Sequence, residues 1–134
     1  MSHEKFHYKS VDKIKQRGEE LGLNLPFAKD TAILSSPLQI KDITLSNRLG
    51  IAPMEGADSL EDGSPSDYTT RRYVNEASGG SAVIWFEAIS IVEEGRSSKT
   101  QLLLTRENLE SYKRLIKAVK EAGMKANGFA PFLI

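Results

Sequence analysis

Cysteine is absent from the 134 residues, which excludes a disulfide framework, a thiolate metal site and a cysteine nucleophile. Histidine is scarce: His3 and His7 are the two present, and without a third ligand this pair near the terminus does not make a metal site. No serine has a companion histidine to activate it. Net charge is also missing, because 18 Lys and Arg balance 18 Asp and Glu, so no broad basic surface for nucleic acid or anionic lipid is implied. No run approaches the roughly 20 apolar residues of a membrane span, and the opening MSHEKFHYKS has no apolar signal-peptide core. With 40% hydrophobic and 27% charged residues, the chain is expected to be a cytoplasmic globular unit able to bury a core.

What is present is organised around Leu45 to Gly56. Leu49 to Ala52 reads as a buried strand that Pro53 cuts off, because proline has no N–H for the ladder. It opens into a loop with Gly56, Asp58, Asp62 and Gly63, and in α/β proteins ligands gather beyond the carboxyl ends of such strands. Upstream, Lys9 to Leu23 carries Val11, Ile14 and Leu21 at a loose helical spacing ending at Gly22, and Leu38, Ile40, Ile43 and Leu45 alternate around Lys41-Asp42 as a small hairpin.

Downstream, Ser64-Pro65-Ser66-Asp67 offers a helix N-cap, and Tyr68, Tyr73, Val74 and Ala77 form a stripe that stops at Gly79-Gly80. Ala82 to Phe86 is an apolar run without alternation, as a parallel strand covered on both faces requires. Glu87 to Thr105 reads as a long loop. Leu109, Tyr112, Leu115, Ile116 and Val119 then predict an amphipathic helix closed by Gly123, and Phe129 to Ile134 begins a third strand. An apolar end without cap or turn looks cut, since domains usually end on a polar surface segment.

Several other signals carry no chemistry. Gly79-Gly80 is a helix stop, with no phosphate-loop spacing around it. The pairs Glu93-Glu94 and Asp58/Asp62 lie in loops without further ligand spacing and are expected to be solvated, as is Arg71-Arg72 on a helix face.

Ser46-Asn47-Arg48, Ala52-Pro53-Met54, Asp62-Gly63, Arg72-Tyr73 with Gly79-Gly80, and Phe86-Glu87-Ala88 with Glu94-Gly95-Arg96 follow one another in an order and spacing that resembles the amino-terminal part of the old yellow enzyme family of NADH:flavin oxidoreductases. The resemblance runs from about Pro37 to Ile134, and the helix Glu107 to Ala122 falls where the family has its second barrel helix. It implies residues 1–36 as a helical and irregular extension. Residues 37–134 become an α/β unit, the amino-terminal portion of a (β/α)8 TIM barrel with about three strands, broken off in the third.

The same resemblance implies FMN across the carboxyl ends of the strands, NAD(P)H as electron donor, and hydride transfer from the flavin to an activated alkene or similar small-molecule acceptor. Ala52, Pro53, Met54 and Glu55 match the family's loop beneath the flavin, and Ala88 the backbone contact after the second strand. No catalytic residue of the family falls within the chain. The glutamine on the flavin ring, the substrate-anchoring histidines, the tyrosine proton donor and the phosphate segment would lie beyond Ile134. So would whatever decides the acceptor, NADH against NADPH, and any iron–sulfur cluster.

Two positions depart from the family. Ala57 stands where some members have a tyrosine that reaches the substrate, and Glu55 where threonine or cysteine is common. A carboxylate donates no hydrogen bond unless protonated, and its charge disfavours an anionic reduced flavin. The expectation is a flavin that is harder to reduce, against the alternative that Glu55 turns to solvent or a downstream arginine. Three parallel strands would leave an apolar edge, implying an oligomer or a complementary barrel fragment as partner. The competing reading is a non-catalytic α/β interaction module whose edge binds a partner strand. A flavodoxin-like binder is disfavoured by the lack of a serine- and threonine-rich run after the first strand.

Overall fold

The computed structural model describes residues 5–128 and 130–134. The chain divides into two compact units, Met1–Thr31 and Ala32–Ile134. In the first, helix α1 spans Val11–Glu20, with the Ser10 hydroxyl accepting from the Lys13 N–H at its start. It ends short of Leu23 because Gly22 takes φ 69°, and the Gly22 and Leu23 N–H groups bond back to the Glu19 and Gly18 carbonyls at 2.9 and 2.8 Å. That pair of bonds is the Schellman closure, which satisfies carbonyls the helix would leave open.

The second unit begins with the expected hairpin: β1 (Leu38–Ile40) and β2 (Ile43–Leu45) pair antiparallel, with Ile40 opposite Ile43. Lys41 turns the corner at φ 51°. Three parallel strands follow, β3 (Gly50–Ile51), β4 (Val83–Ile84) and β5 (Phe132–Leu133), in the order β3-β4-β5. Each is shorter than its apolar run. The hydrogen bonding nonetheless reaches further, since the Ala82, Trp85 and Phe86 N–H groups bond Leu49, Ile51 and Ile134 carbonyls. The next donor on the β4 side of β3 would come from residue 53, and Pro53 has none to give. Of the expected third strand, Phe129 lies outside the described residues.

Helix α2 (Asp67–Ser78) joins β3 to β4, and helix α3 (Leu109–Asn127) joins β4 to β5. Ser66 and Thr69 form a reciprocal capping box at the start of α2, the arrangement that satisfies two orphan N–H donors at once. The two helices close one face of the sheet over a core of Tyr73, Ala77, Ile84, Leu115 and Val119, against which Ile51, Phe86 and Leu133 pack.

The structure corrects several expectations from sequence. Tyr68 is not in the buried stripe: it is 66% exposed, with the Arg71 guanidinium 5.1 Å from its ring centre. The inward positions are Thr69, Tyr73 and Ala77, spaced four apart. Gly123 does not close α3, which runs through it to Asn127 and stops at Gly128, φ 76°. A single interior glycine costs a helix about 1 kcal/mol, less than the packing of the Leu115 and Val119 face returns. The segment from 87 to 105 is more than a loop: it contains a 3-10 turn at Glu93–Gly95 and a parallel bridge between Ser90 and Leu103.

Candidate functional site

The carboxyl ends of β3 and β4 lie side by side. Ala52, Pro53, Met54 and Glu55 leave the first and Ala88 follows the second, and all five are exposed; Met54 is 61% exposed. Among the described residues, the N–H groups of Met54 and Glu55 have no hydrogen-bond partner. The Ala88 carbonyl accepts a long bond, 3.3 Å, from the Gln101 side chain. Free backbone donors beside exposed apolar side chains suit a flat heteroaromatic ring with acceptors on its edge, and an isoalloxazine has that chemistry. The Glu55 carboxylate does not meet an arginine; it accepts from the Ser97 hydroxyl at 3.0 Å and is exposed.

Behind this surface lies a charged cluster that the sequence reading missed. Arg72, expected to be solvated, has a side chain only 17% exposed. Its Nη2 donates to Glu87 Oε1 at 2.5 Å and to Asp58 Oδ1 at 3.1 Å. The Glu87 side chain is 1% exposed. Its Oε1 also accepts from the Tyr73 hydroxyl at 3.1 Å, and its Oε2 accepts from the Gly56 N–H at 3.0 Å. The Glu87 N–H in turn donates to the Tyr73 oxygen at 2.9 Å. Phe86 stacks on Tyr73 with ring centres 4.1 Å apart.

Asp58 is likewise held, contrary to expectation: it accepts from Thr69 Oγ1 at 2.7 Å as well as from Arg72. Burial alone would raise its pKa, but the Arg72 and Thr69 hydrogen bonds outweigh it and hold the carboxyl below the usual range. Burial would lower the Arg72 pKa, yet bonds to Asp58 and Glu87 raise it, so the cation is fixed. Burial pushes the Tyr73 phenol up to about 12. Asp62 serves its own turn, accepting from the Ser64 N–H and hydroxyl, which keep its pKa low. Nothing in sequence spacing could have paired Arg72 with Glu87, fifteen residues away and beyond the end of β4. Both did fall inside the quoted motifs.

Arg96 organises the segment from 87 to 105. Its Nη1 donates to the Glu61 carbonyl and the Glu93 carboxylate, and its Nη2 to the Lys99 and Gln101 carbonyls. This brings Ser97 to Glu55 and the loop against the site. Glu93 is thus partnered, not merely solvated. Of the histidine pair, His3 lies outside the described residues. No group of three His, Asp or Glu able to hold a metal occurs among the described residues, and no helix there is long and apolar enough to cross a membrane.

Comparison with known proteins bears on this geometry. Residues 34–127 match the model of the NADH:flavin oxidoreductase / NADH oxidase family. An NADPH dehydrogenase of Listeria monocytogenes is 35% identical over 95 residues, covering 69% of this chain and 28% of the relative. The NADPH dehydrogenase of Bacillus subtilis is 34% identical over 94 residues with the same coverage. Among solved structures, an old yellow enzyme from a Pichia species superposes with TM-score 0.61 at 21% identity, over 68% of this chain and 24% of the other. Morphinone reductase gives 0.59 at 26% identity, over 67% and 24%. The chain thus spans little more than a quarter of its relatives, and its fold is part of a (β/α)8 barrel whose ring the described strands do not close. With more than half of its length matched, the protein belongs to the NADH:flavin oxidoreductase / NADH oxidase family.

Proposed function

We propose that this chain supplies part of the FMN-binding face of an NAD(P)H-dependent oxidoreductase of the ene-reductase kind. The observation that carries the reading is the exposure of Ala52, Pro53, Met54, Glu55 and Ala88 at the carboxyl ends of adjacent parallel strands. These are the positions that the family pattern assigns to the flavin. Bound FMN would supply hydride transfer between the nicotinamide and a small-molecule acceptor such as an activated alkene. The chain's own part is to bind and orient. The Met54 and Glu55 N–H groups and the Ala88 backbone offer hydrogen bonds to the ring edge, and the apolar surface excludes water from it. Glu55 places a negative charge beside the ring and opposes the build-up of negative charge on it, so reduction becomes harder.

Substrate anchoring and proton donation are not functions of these residues, and the segment acts only with further barrel strands, from the same or a complementary polypeptide. The test is a graft: residues 34–127 replace the matched segment of the Bacillus subtilis NADPH dehydrogenase. A folded graft that retains FMN and oxidises NADPH supports the reading. A folded, colourless graft refutes it. In the same graft, Glu55→Thr raises the flavin midpoint potential; an unchanged potential would remove Glu55 from the electrostatics.

A further inference from the structure

We propose that Glu87, acting with Arg72, is the positioning residue of the loop at 53–58. Its buried carboxylate ties the Gly56 N–H to the end of β4 and so fixes how the Met54 and Glu55 backbone is presented. The two oxygens divide the work. Oε1 receives Arg72 and Tyr73, and Oε2 is given to the Gly56 amide. The same Arg72 guanidinium reaches Asp58, two residues beyond Gly56, and the Asp58 carbonyl accepts from the Ser66 hydroxyl at the head of α2. Gly56 and Asp58 are therefore both anchored to one ion cluster.

Between those anchors Ala57 adopts φ 48°, a left-handed conformation that residues with a Cβ avoid and that persists only when the surroundings impose it. Gly56 is laid directly against the cluster: a Cβ there would lie 2.2 Å from Arg72 Nη2. Glu87 itself stands between Phe86, which stacks on Tyr73, and Ala88, the other candidate flavin contact. One carboxylate thus joins the two cofactor-facing stretches. A buried charge is a poor source of stability compared with well-packed apolar groups, but it fixes relative orientation when all its partners are in place.

The consequence for the cofactor rests on the flavin reading above, whereas the test is made on the full chain without flavin, so either can fail alone. Amide hydrogen exchange is followed residue by residue in the wild type, in Glu87→Gln, and in the core control Val119→Ala. Glutamine retains one acceptor oxygen and turns an NH2 group toward either Arg72 or Gly56. The expected result is faster Gly56 exchange by about ten-fold or more, the loss of one hydrogen bond to a charged acceptor, with the Ile84 and Leu115 amides nearly unchanged. Val119→Ala should speed the core amides together and Gly56 no more than they. The proposal is overturned if Gly56 in Glu87→Gln merely keeps step with the core, or exchanges freely in the wild type. If Glu87→Gln fails to fold, Tyr73→Phe, which removes one donor to the same carboxylate while keeping the ring, is judged by the same criterion.

Discussion

Replacing Arg72 by methionine isolates the energetic weight of the cluster. The substitution keeps much of the aliphatic stem but removes the cation that touches both Asp58 and Glu87. Asp58, 22% exposed, can recover water, and its loss counts for little. The Glu87 side chain, at 1% exposure, cannot. Its carboxylate would keep the Tyr73 hydroxyl and Gly56 N–H as donors but no countercharge. Breaking one side of such a buried pair costs about 3 to 5 kcal/mol.

Urea denaturation at neutral pH reads this loss. With a slope of about 1.5 kcal/mol per M for a domain of this size, the midpoint falls by about 2 to 3 M. The double variant Arg72→Met/Glu87→Gln should be less destabilised than the sum of the single variants by about 1.5 kcal/mol or more. A loss below about 1 kcal/mol in Arg72→Met, or additive single effects, would mean that the pair is a solvated contact and that the reasoning is wrong.

Three further outcomes follow from the same geometry. Gly63→Ala should cost about 3 kcal/mol in urea unfolding: the residue sits at φ 78°, and an added Cβ would lie 2.3 Å from Leu103 Cβ and 2.8 Å from its backbone nitrogen. The strand-like bond from Leu103 N–H to the Gly63 carbonyl, and the Tyr112 hydroxyl bond to that carbonyl, would then be disturbed. Ser66→Ala removes the α2 cap and the bond to the Asp58 carbonyl, and thermal unfolding should show a loss of about 1 to 2 kcal/mol. In acid, Asp58 and Asp62 have folded pKa values below 3.8, so the unfolded chain binds more protons there. Their contribution is present above about pH 4 and is lost as the pH falls through the folded values. Glu76, raised by burial, acts oppositely and favours the fold as it takes up a proton above 4.5. Stability that climbs steadily down to the lowest pH would contradict the Asp58 assignment.

The helices were legible in sequence because their signals are local. Ser66 capping α2 and the buried stripe of Tyr112, Leu115 and Val119 need only neighbours three or four residues away, although Leu109 and Ile116, expected in that stripe, are exposed. The hairpin around Lys41-Asp42 is local in the same sense. Gly123 misled because an interior glycine and a terminal one look alike until packing decides which carbonyls remain open; Gly128, with its positive φ, is the stop. The candidate flavin contacts were nameable from a family pattern, whereas the cluster behind them was not. Arg72 lies on α2 and Glu87 just beyond β4, and charge alone reads as surface. Only the β3–α2–β4 crossover brings them together.

The most direct test of the cofactor reading is an FMN titration of the isotopically labelled chain, followed by amide chemical shifts. If the face is as proposed, FMN binds weakly and shifts concentrate at Ala52, Met54, Glu55 and Ala88, with Gly56 moving alongside them. Shifts scattered over the surface of α3, or no shifts at millimolar FMN, would contradict it.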